Sequence, residues 1–271
     1  IPLILLNARI TKKTFKRWYK IKTFSKKIFG KITKAFPQNI ETKFYLRQYG
    51  INQVNHLGNL KFAEDNLKDY DKIDKNLKLQ LDKKKIWVAS STHEPEEIFC
   101  AEAHLLLKKK IKNLLTIIIP RHVHRVSEII KEIENLNLKI ALHSERRRNL
   151  NEIDIYIVDT FGETKKFHEI ACSVFLGGSI IKRGGQNPLE AARFGAKILH
   201  GPNIDNFKDV YKLLKLLKTS KKINTPTGLA SEIIFTKNKQ IGHKIKNIGE
   251  KILKKIIKEL DKIINNEFKK T

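Results

Sequence analysis

From residue 86 onward, short apolar runs alternate with amphipathic stretches. The runs fall at 86–89, 114–119, 140–142, 153–158, 174–176 and 198–199. Each has the length of a strand, and most are rich in β-branched residues. Helical periodicity separates most of them, so the pattern predicts βαβ units and a parallel sheet covered on both faces. Residues 1–63 read as the end of another α/β unit. A strand is expected at 2–6, then a basic helix through Phe15, Trp18, Tyr19 and Phe24, a second helix at 42–49 stopped by Gly50, and a last strand at 54–57. The stretch 63–85 is polar, charged and short of large apolar residues, so the domain boundary is placed at its start. The chain thus divides into 1–63, a sheet domain at 64–240, and a tail at 241–271. In that tail Ile241, Ile245, Ile248, Ile252, Ile256, Leu260 and Ile263 recur every three or four residues, predicting a long amphipathic helix with a lysine-rich outer face.

Charge adds a constraint. Lys and Arg number 55 against 28 Asp and Glu, a formal net charge of +27. That balance favours anionic partners such as nucleic acid, an anionic lipid surface or phosphorylated substrates. The same lysines also read as solvated faces in a Lys/Ile/Asn-rich chain. RGG tracts, aromatic RNP-like strings and zinc-finger spacings are absent, which makes a nucleic-acid module the lesser alternative. Cys100 and Cys172 sit in apolar segments without metal-ligand spacing and are expected as free buried thiols in a reducing compartment. No apolar stretch reaches the roughly 18 residues of a membrane span. The chain opens on Ile1 and contains no methionine, so it reads as a fragment or a processed chain, with a first strand that resembles one cut into midway.

Polar residues with chemical potential gather just after the predicted strands, which in a parallel sheet share the edge where ligands bind. After 86–89 comes Ser90-Ser91-Thr92-His93-Glu94-Pro95-Glu96-Glu97. Ser91 or Thr92 reads either as a helix N-cap or as a hydroxyl facing a phosphate or carboxylate. After 114–119, Arg121 stands where its planar fork would grip phosphate or carboxylate. His122 and His124 follow, with no third ligand to make a metal site. After 153–158, Gly162 and Glu163 read as a turn into a helix or as a ligand contact. After 174–176 come Gly177-Gly178-Ser179 and then Gly184-Gly185-Gln186-Asn187-Pro188-Leu189-Glu190. Paired glycines let the backbone approach a ligand and aim N–H groups at negative charge. Asn187, Pro188 and Glu190 also read as N-cap, N1 and N3 of a helix. The rival role for Glu190 is a carboxylate accepting two ribose hydroxyls.

In order, these clusters resemble the Kdo (3-deoxy-D-manno-octulosonic acid) transferases of lipopolysaccharide assembly, a glycosyltransferase family of GT-B arrangement with two facing Rossmann-like domains. The strings that carry the resemblance are Asn7-Ala8-Arg9, Gly58-Asn59-Leu60-Lys61-Phe62, Ser91-Thr92-His93-Glu94, Pro120-Arg121-His122, Asp159-Thr160-Phe161-Gly162-Glu163, Gly177-Gly178-Ser179, Gly184 through Glu190, Gly201-Pro202 and Asn206-Phe207. They cover the chain from residue 1 to about 210; the last sixty or so residues carry no signature.

The resemblance implies an α/β fold with a complete C-terminal Rossmann-like domain and the end of an N-terminal, acceptor-side one. It implies that CMP-Kdo binds the C-terminal domain, lined by Ser91, Thr92, Arg121, Gly177, Gly178, Ser179, Asn187 and Glu190. His122, Gly162 and Glu163 join this donor set from the clusters beside them. Asn7, Arg9 and Lys61 are expected at the acceptor side or hinge. The implied reaction joins the anomeric carbon of Kdo to a hydroxyl of a lipid A precursor (lipid IVA), with CMP leaving. It needs positive groups for the departing phosphate and a base for the acceptor proton. In this family that base is a carboxylate early in the N-terminal domain, a region expected to be missing here, so the chain is expected to bind donor without catalysing transfer. No cofactor, metal or nucleic acid is implied. The expected location is the cytoplasmic face of the bacterial inner membrane, against its anionic surface. Lys12 to Lys31 is a candidate for that contact. The alternatives are a GT-B enzyme using a UDP or GDP donor and a basic nucleic-acid-binding module.

Overall fold

The computed structural model describes residues 1–63, 70–145 and 149–268. Residue 64, where the sheet domain is expected to begin, lies outside them. The chain forms two compact units, Asn66–His243 and a second made of Ile1–Asp65 with Lys244–Thr271.

In the unit built on Ile1–Asp65, β1 (Ile4–Ala8) pairs in parallel with β2 (Lys34–Pro37). The strand expected at 54–57 is reduced to one bridge, Ala35 to Val54. Ala35 N to Gln53 O and Asn55 N to Ala35 O continue the ladder, and Gln38 O accepts from the His56 ring. β2 itself was not foreseen, since four residues with one large apolar side chain carry little pattern. The single basic helix expected over 12–31 is two helices, α1 (Lys12–Tyr19) and α2 (Lys22–Phe29). Ser25 fixes the corner between them by hydrogen bonding to Trp18 O and Ile21 O. Both pack through aromatic rings onto α3 (Ile40–Gln48) and its C-cap. Phe15 stacks on Tyr45 at 4.1 Å and Phe29 on Tyr49 at 4.8 Å, while the Tyr49 hydroxyl donates to Phe15 O.

The unit Asn66–His243 is a parallel sheet with, among the described residues, seven strands. They are β3 (Lys85–Thr92), β4 (Leu114–Pro120), β5 (Ile140–Leu142), β6 (Ile155–Ile157), β7 (Ser173–Leu176), β8 (Lys197–His200) and β9 (Ser220–Lys222), in the order β5-β6-β4-β3-β7-β8-β9. The central strands are buried on both faces: Trp87, Val88, Ala89, Ile117, Ile118, Val174 and Phe175 are wholly inaccessible. This is why they read as continuous apolar runs rather than alternating ones. Helices α4 (Lys75–Leu81), α5 (Glu96–Lys108), α6 (Val126–Glu134), α7 (Thr164–Ile170), α8 (Leu189–Arg193), α9 (Lys208–Leu216) and α10 (Pro226–Glu232) accompany the sheet. α4 lies in the stretch read as a polar boundary. It buries only Leu77 and Leu81, and its signal is the Asp74 cap on Leu77 N. β9 escaped notice because its Ser-Lys-Lys sequence has no apolar residue to reveal an edge strand.

The long terminal helix α11 (Lys239–Phe268) forms over the predicted apolar stripe. Its first residues belong with the sheet unit, where Gly242 passes so close to Arg193 O that a Cβ would stand 2.2 Å away. From Lys244 on it belongs with the other unit. There Gly249 passes over Phe62 O, Ile252 covers Gly58, and Glu259 pairs with Lys34 at 2.7 Å.

Candidate functional site

Because every strand of the large sheet is parallel, the loops after β3, β4, β6, β7 and β8 leave from one edge. From β3 the chain proceeds outward to β4, and after β6 it returns to the other side of β3 as β7. The topological switch point therefore lies between β3 and β7, the position where open α/β sheets leave a crevice.

At that crevice β3 ends in a bulge at Ser91, whose φ of 56° is left-handed. Neither Ser91 nor Thr92 caps the following helix, as the sequence suggested, because α5 begins only at Glu96. Gly177 N extends the β7 ladder to Ser90 O at 2.9 Å, and Arg121 N reaches Thr92 O at 2.9 Å. A Cβ at Gly177 would stand 2.3 Å from Ser91 O and 2.6 Å from Thr92 Cα, so only glycine permits the two loops to meet.

The glycine-rich loop does turn its N–H groups toward a negative charge, but that charge is the protein's own. The Glu96 carboxylate is fully buried and accepts from Gly178 N at 2.7 Å, Ser179 N at 3.0 Å, Ile180 N at 2.9 Å and His93 N at 3.1 Å. Glu96 was not among the expected site residues. Ser179 is likewise buried, with its hydroxyl donating to Leu176 O and accepting from Gly201 N. Both residues thus shape the loop from beneath. The surface above Gly178 is formed by His93, Arg183 and Gln186, each about 3.5 Å from where a Cβ there would lie. Arg121 and His122 are exposed beside it, and the His122 ring lies 5.6 Å from that of His93 and 5.5 Å from that of His124. Burial lowers the His93 pKa, against the opposing pull of Glu96. Its neighbour Glu97 is raised by burial, an effect that Arg125 at 3.4 Å partly offsets.

On the β8 side of the switch, Gly185 N returns to Gly178 O at 2.8 Å, folding the loop toward α8. The helix begins at Leu189 with Pro188 at the N-cap position, one residue later than the sequence suggested. Asn187 still serves its start, accepting from Leu189 N at 3.2 Å. Glu190 stands in the first turn with its side chain 30% exposed, and Oε1 lies 2.8 Å from His168 Nδ1. Burial works against ionisation of Glu190, but the His168 hydrogen bond and the nearby Lys165 and Arg193 outweigh it and hold the carboxyl below its usual range. Gly162 is exposed at φ 85°, beside an exposed Phe161. The Glu163 carboxylate is taken up by Lys166 at 2.8 Å and His143 at 3.5 Å. In the other unit, Asn7 adopts φ 49° and accepts from Leu60 N at 3.1 Å, tying the end of β1 to the turn Leu60–Phe62 that carries Lys61. Arg9 is exposed just past β1. Among the described residues no group of three or more His, Cys, Asp or Glu side chains could hold a metal ion.

A family model described as 3-deoxy-D-manno-octulosonic-acid transferase (kdotransferase) matches residues 1–64. A 3-deoxy-D-manno-octulosonic acid transferase of Rickettsia felis is 32% identical over 252 residues, 93% of this chain and 54% of that protein. This chain is a relative of the Kdo transferases. One from Haemophilus influenzae, 26% identical over 258 residues, covers 93% of the chain and 60% of its own length. The chain thus spans little more than half the length of these relatives. Among solved structures, the C-terminal CMP-Kdo binding domain of WaaA from Acinetobacter baumannii superposes with a TM-score of 0.54 at 22% identity, covering 66% of this chain and 93% of that one. The fold is accordingly the α/β, GT-B type expected from the resemblance. Glu96 and His168 are what sequence reasoning missed. Glu96 was visible as an acid after the Ser-Thr-His string, whereas nothing local to the α7 sequence connects His168 to Glu190.

Proposed function

We propose that the sheet unit of this chain holds the nucleotide-sugar donor of a Kdo transferase, CMP-Kdo, for transfer to a lipid A precursor. The observation that carries this reading is Glu190: an ionised, solvent-open carboxylate, fixed from behind, on the ligand-binding edge of a chain related throughout to Kdo transferases. A carboxylate offers only lone pairs and suits two adjacent ribose hydroxyls as donors. At the switch point, His93, Arg183 and Gln186 above Gly178 form the floor on which the ligand would rest. Arg121, with His122 beside it, supplies positive charge for the phosphate or the Kdo carboxylate. In the transfer, the bond from the anomeric carbon to the phosphate oxygen breaks and CMP departs with the electron pair. A guanidinium aimed at that oxygen lowers the barrier because charge develops there. Ser91, Thr92, Gly177, Ser179 and Asn187 act through the loop shapes that hold these groups, and Gly162 and Glu163 border the site from the β6 side. Asn7, Arg9 and Lys61 are assigned to the acceptor side or hinge.

Titration of the purified chain with CMP, UMP and GMP at two salt concentrations tests the reading. The expected result is preferential CMP binding that is lost in Glu190→Ala and weakened in Arg121→Ala. Equal binding of all three nucleotides, erased by salt, would instead indicate a generic basic surface and overturn it. Preference for UMP or GMP would point to another nucleotide-sugar donor.

A second element of the proposal is contact with an anionic membrane surface, at the inner face of the inner membrane. Tyr19, Ile21, Phe24 and Ile28 are 40–54% exposed on and between α1 and α2, among Lys20, Lys22, Lys26 and Lys27. Exposed apolar side chains ringed by lysines suit the boundary between headgroups and acyl chains. Among the described residues no helix is long and apolar enough to cross a membrane.

A further inference from the structure

His168 sits on α7, away from the strand-end loops, and is only 3% exposed. Its neighbour Phe167 is wholly buried against the sheet core, and an apolar side chain would be the ordinary choice for such a position. The imidazole instead directs Nδ1 at the Glu190 carboxylate, 2.8 Å away, while its other nitrogen is buried with no hydrogen-bond partner among the described residues. An ionised carboxylate can only accept, so Nδ1 carries the hydrogen and donates it. Burying a ring with one nitrogen unpaired costs stability. That cost has no return in the core, because the polar contact the ring makes among the described residues is to a group on the ligand-binding edge.

Glu190 explains the arrangement. A glutamate has three rotatable side-chain bonds, and a solvent-open one samples many orientations. Anchoring Oε1 to a rigid, buried ring removes that freedom before a ligand arrives and leaves the outward lone pairs of the carboxylate in a fixed plane. Groups held in this way bind more tightly because less ordering remains to be done. We propose that His168 is the positioning residue of the site, holding the Glu190 carboxylate in the orientation that accepts both ribose hydroxyls of the donor. The proposal rests on the donor-site reading and adds to it a residue that touches no ligand.

The test compares CMP with 2′-deoxy-CMP, which lacks one of the two hydroxyls, in calorimetric titrations of the chain and its variants. The wild type is expected to prefer CMP. In His168→Leu, CMP affinity is expected to fall roughly tenfold while 2′-deoxy-CMP affinity changes little, so the preference collapses. His168→Asn, whose amide can donate from near the Nδ1 position, is expected to restore most of it. A folded His168→Leu that keeps the wild-type preference overturns the proposal and leaves the donor site standing. A wild type that binds neither nucleotide, or both equally, overturns the donor-site reading and this proposal with it. If His168→Leu does not fold, 15N-histidine-labelled wild-type protein supplies the second readout. The His168 Nδ1 resonance should move on saturation with CMP and move less with 2′-deoxy-CMP; an unmoved resonance at saturating CMP overturns the proposal.

Discussion

At the scale of single residues, the candidate site is shaped by a side chain buried beneath it. Glu96 collects four backbone N–H groups from two loops, and without it those donors would be buried with nothing to accept them. Glu96→Gln replaces one accepting oxygen by an amide that donates, setting N–H against N–H. Its expected cost is about 3 kcal/mol, since hydrogen bonds to a charged group are lost and donors stay buried. Urea denaturation measures this directly, and a loss below about 1 kcal/mol would show that the loop has another way to satisfy its amides. This residue was legible only as an acid near a helix start. Three of the four partners it serves are more than eighty positions away, and a one-dimensional pattern carries no mark of them.

At the scale of elements, α11 shows how two small residues set where a helix can lie. Gly242 and Gly249 are two turns apart, and at each the helix passes directly over a carbonyl oxygen, that of Arg193 and that of Phe62. In an exposed helix, glycine to alanine gains about 1 kcal/mol. Here the sign reverses at Gly249, where a Cβ would stand within 3 Å of three backbone atoms. Gly249→Ala is expected to destabilise the unit of Ile1–Asp65 by about 2 kcal/mol or more, as overpacking does, and to lower the melting temperature. A stabilised variant would mean that the helix does not pack this closely. The isoleucine stripe announced the helix and its apolar face. It did not announce the glycines as contacts, because a glycine inside a helical pattern reads locally as a weakness.

At the scale of the whole molecule, the formal charge of +27 acquires a location. Part of it surrounds the exposed apolar side chains of α1 and α2, whereas Phe15 and Trp18, counted with that surface in the sequence, are half-buried against other rings. Flotation with vesicles containing anionic lipid is therefore expected to depend on Phe24 and on Lys20, Lys22, Lys26 and Lys27. Phe24→Ser combined with alanine at the four lysines should release the chain from the vesicles, and Phe15→Ala should act through stability instead. Unchanged flotation of the five-fold variant would remove the membrane reading without touching the donor site.

The sequence alone determined the class of fold and which loops share one edge of the sheet. Six apolar runs sufficed, because strands buried on both faces must be apolar throughout and helices between them must alternate. It also singled out Arg121, Gly177, Gly178, Asn187 and Glu190 among the residues that follow those strands. The tertiary structure decided which of these groups face outward. It turned the loop amides of Gly178 and Ser179 toward Glu96, drew Glu163 to Lys166, and set His168 behind Glu190. The physical reason is the same each time. Burial and periodicity are local properties written along the chain, whereas the pairing of a buried charge or donor is settled by whatever the fold brings within about 3 Å of it.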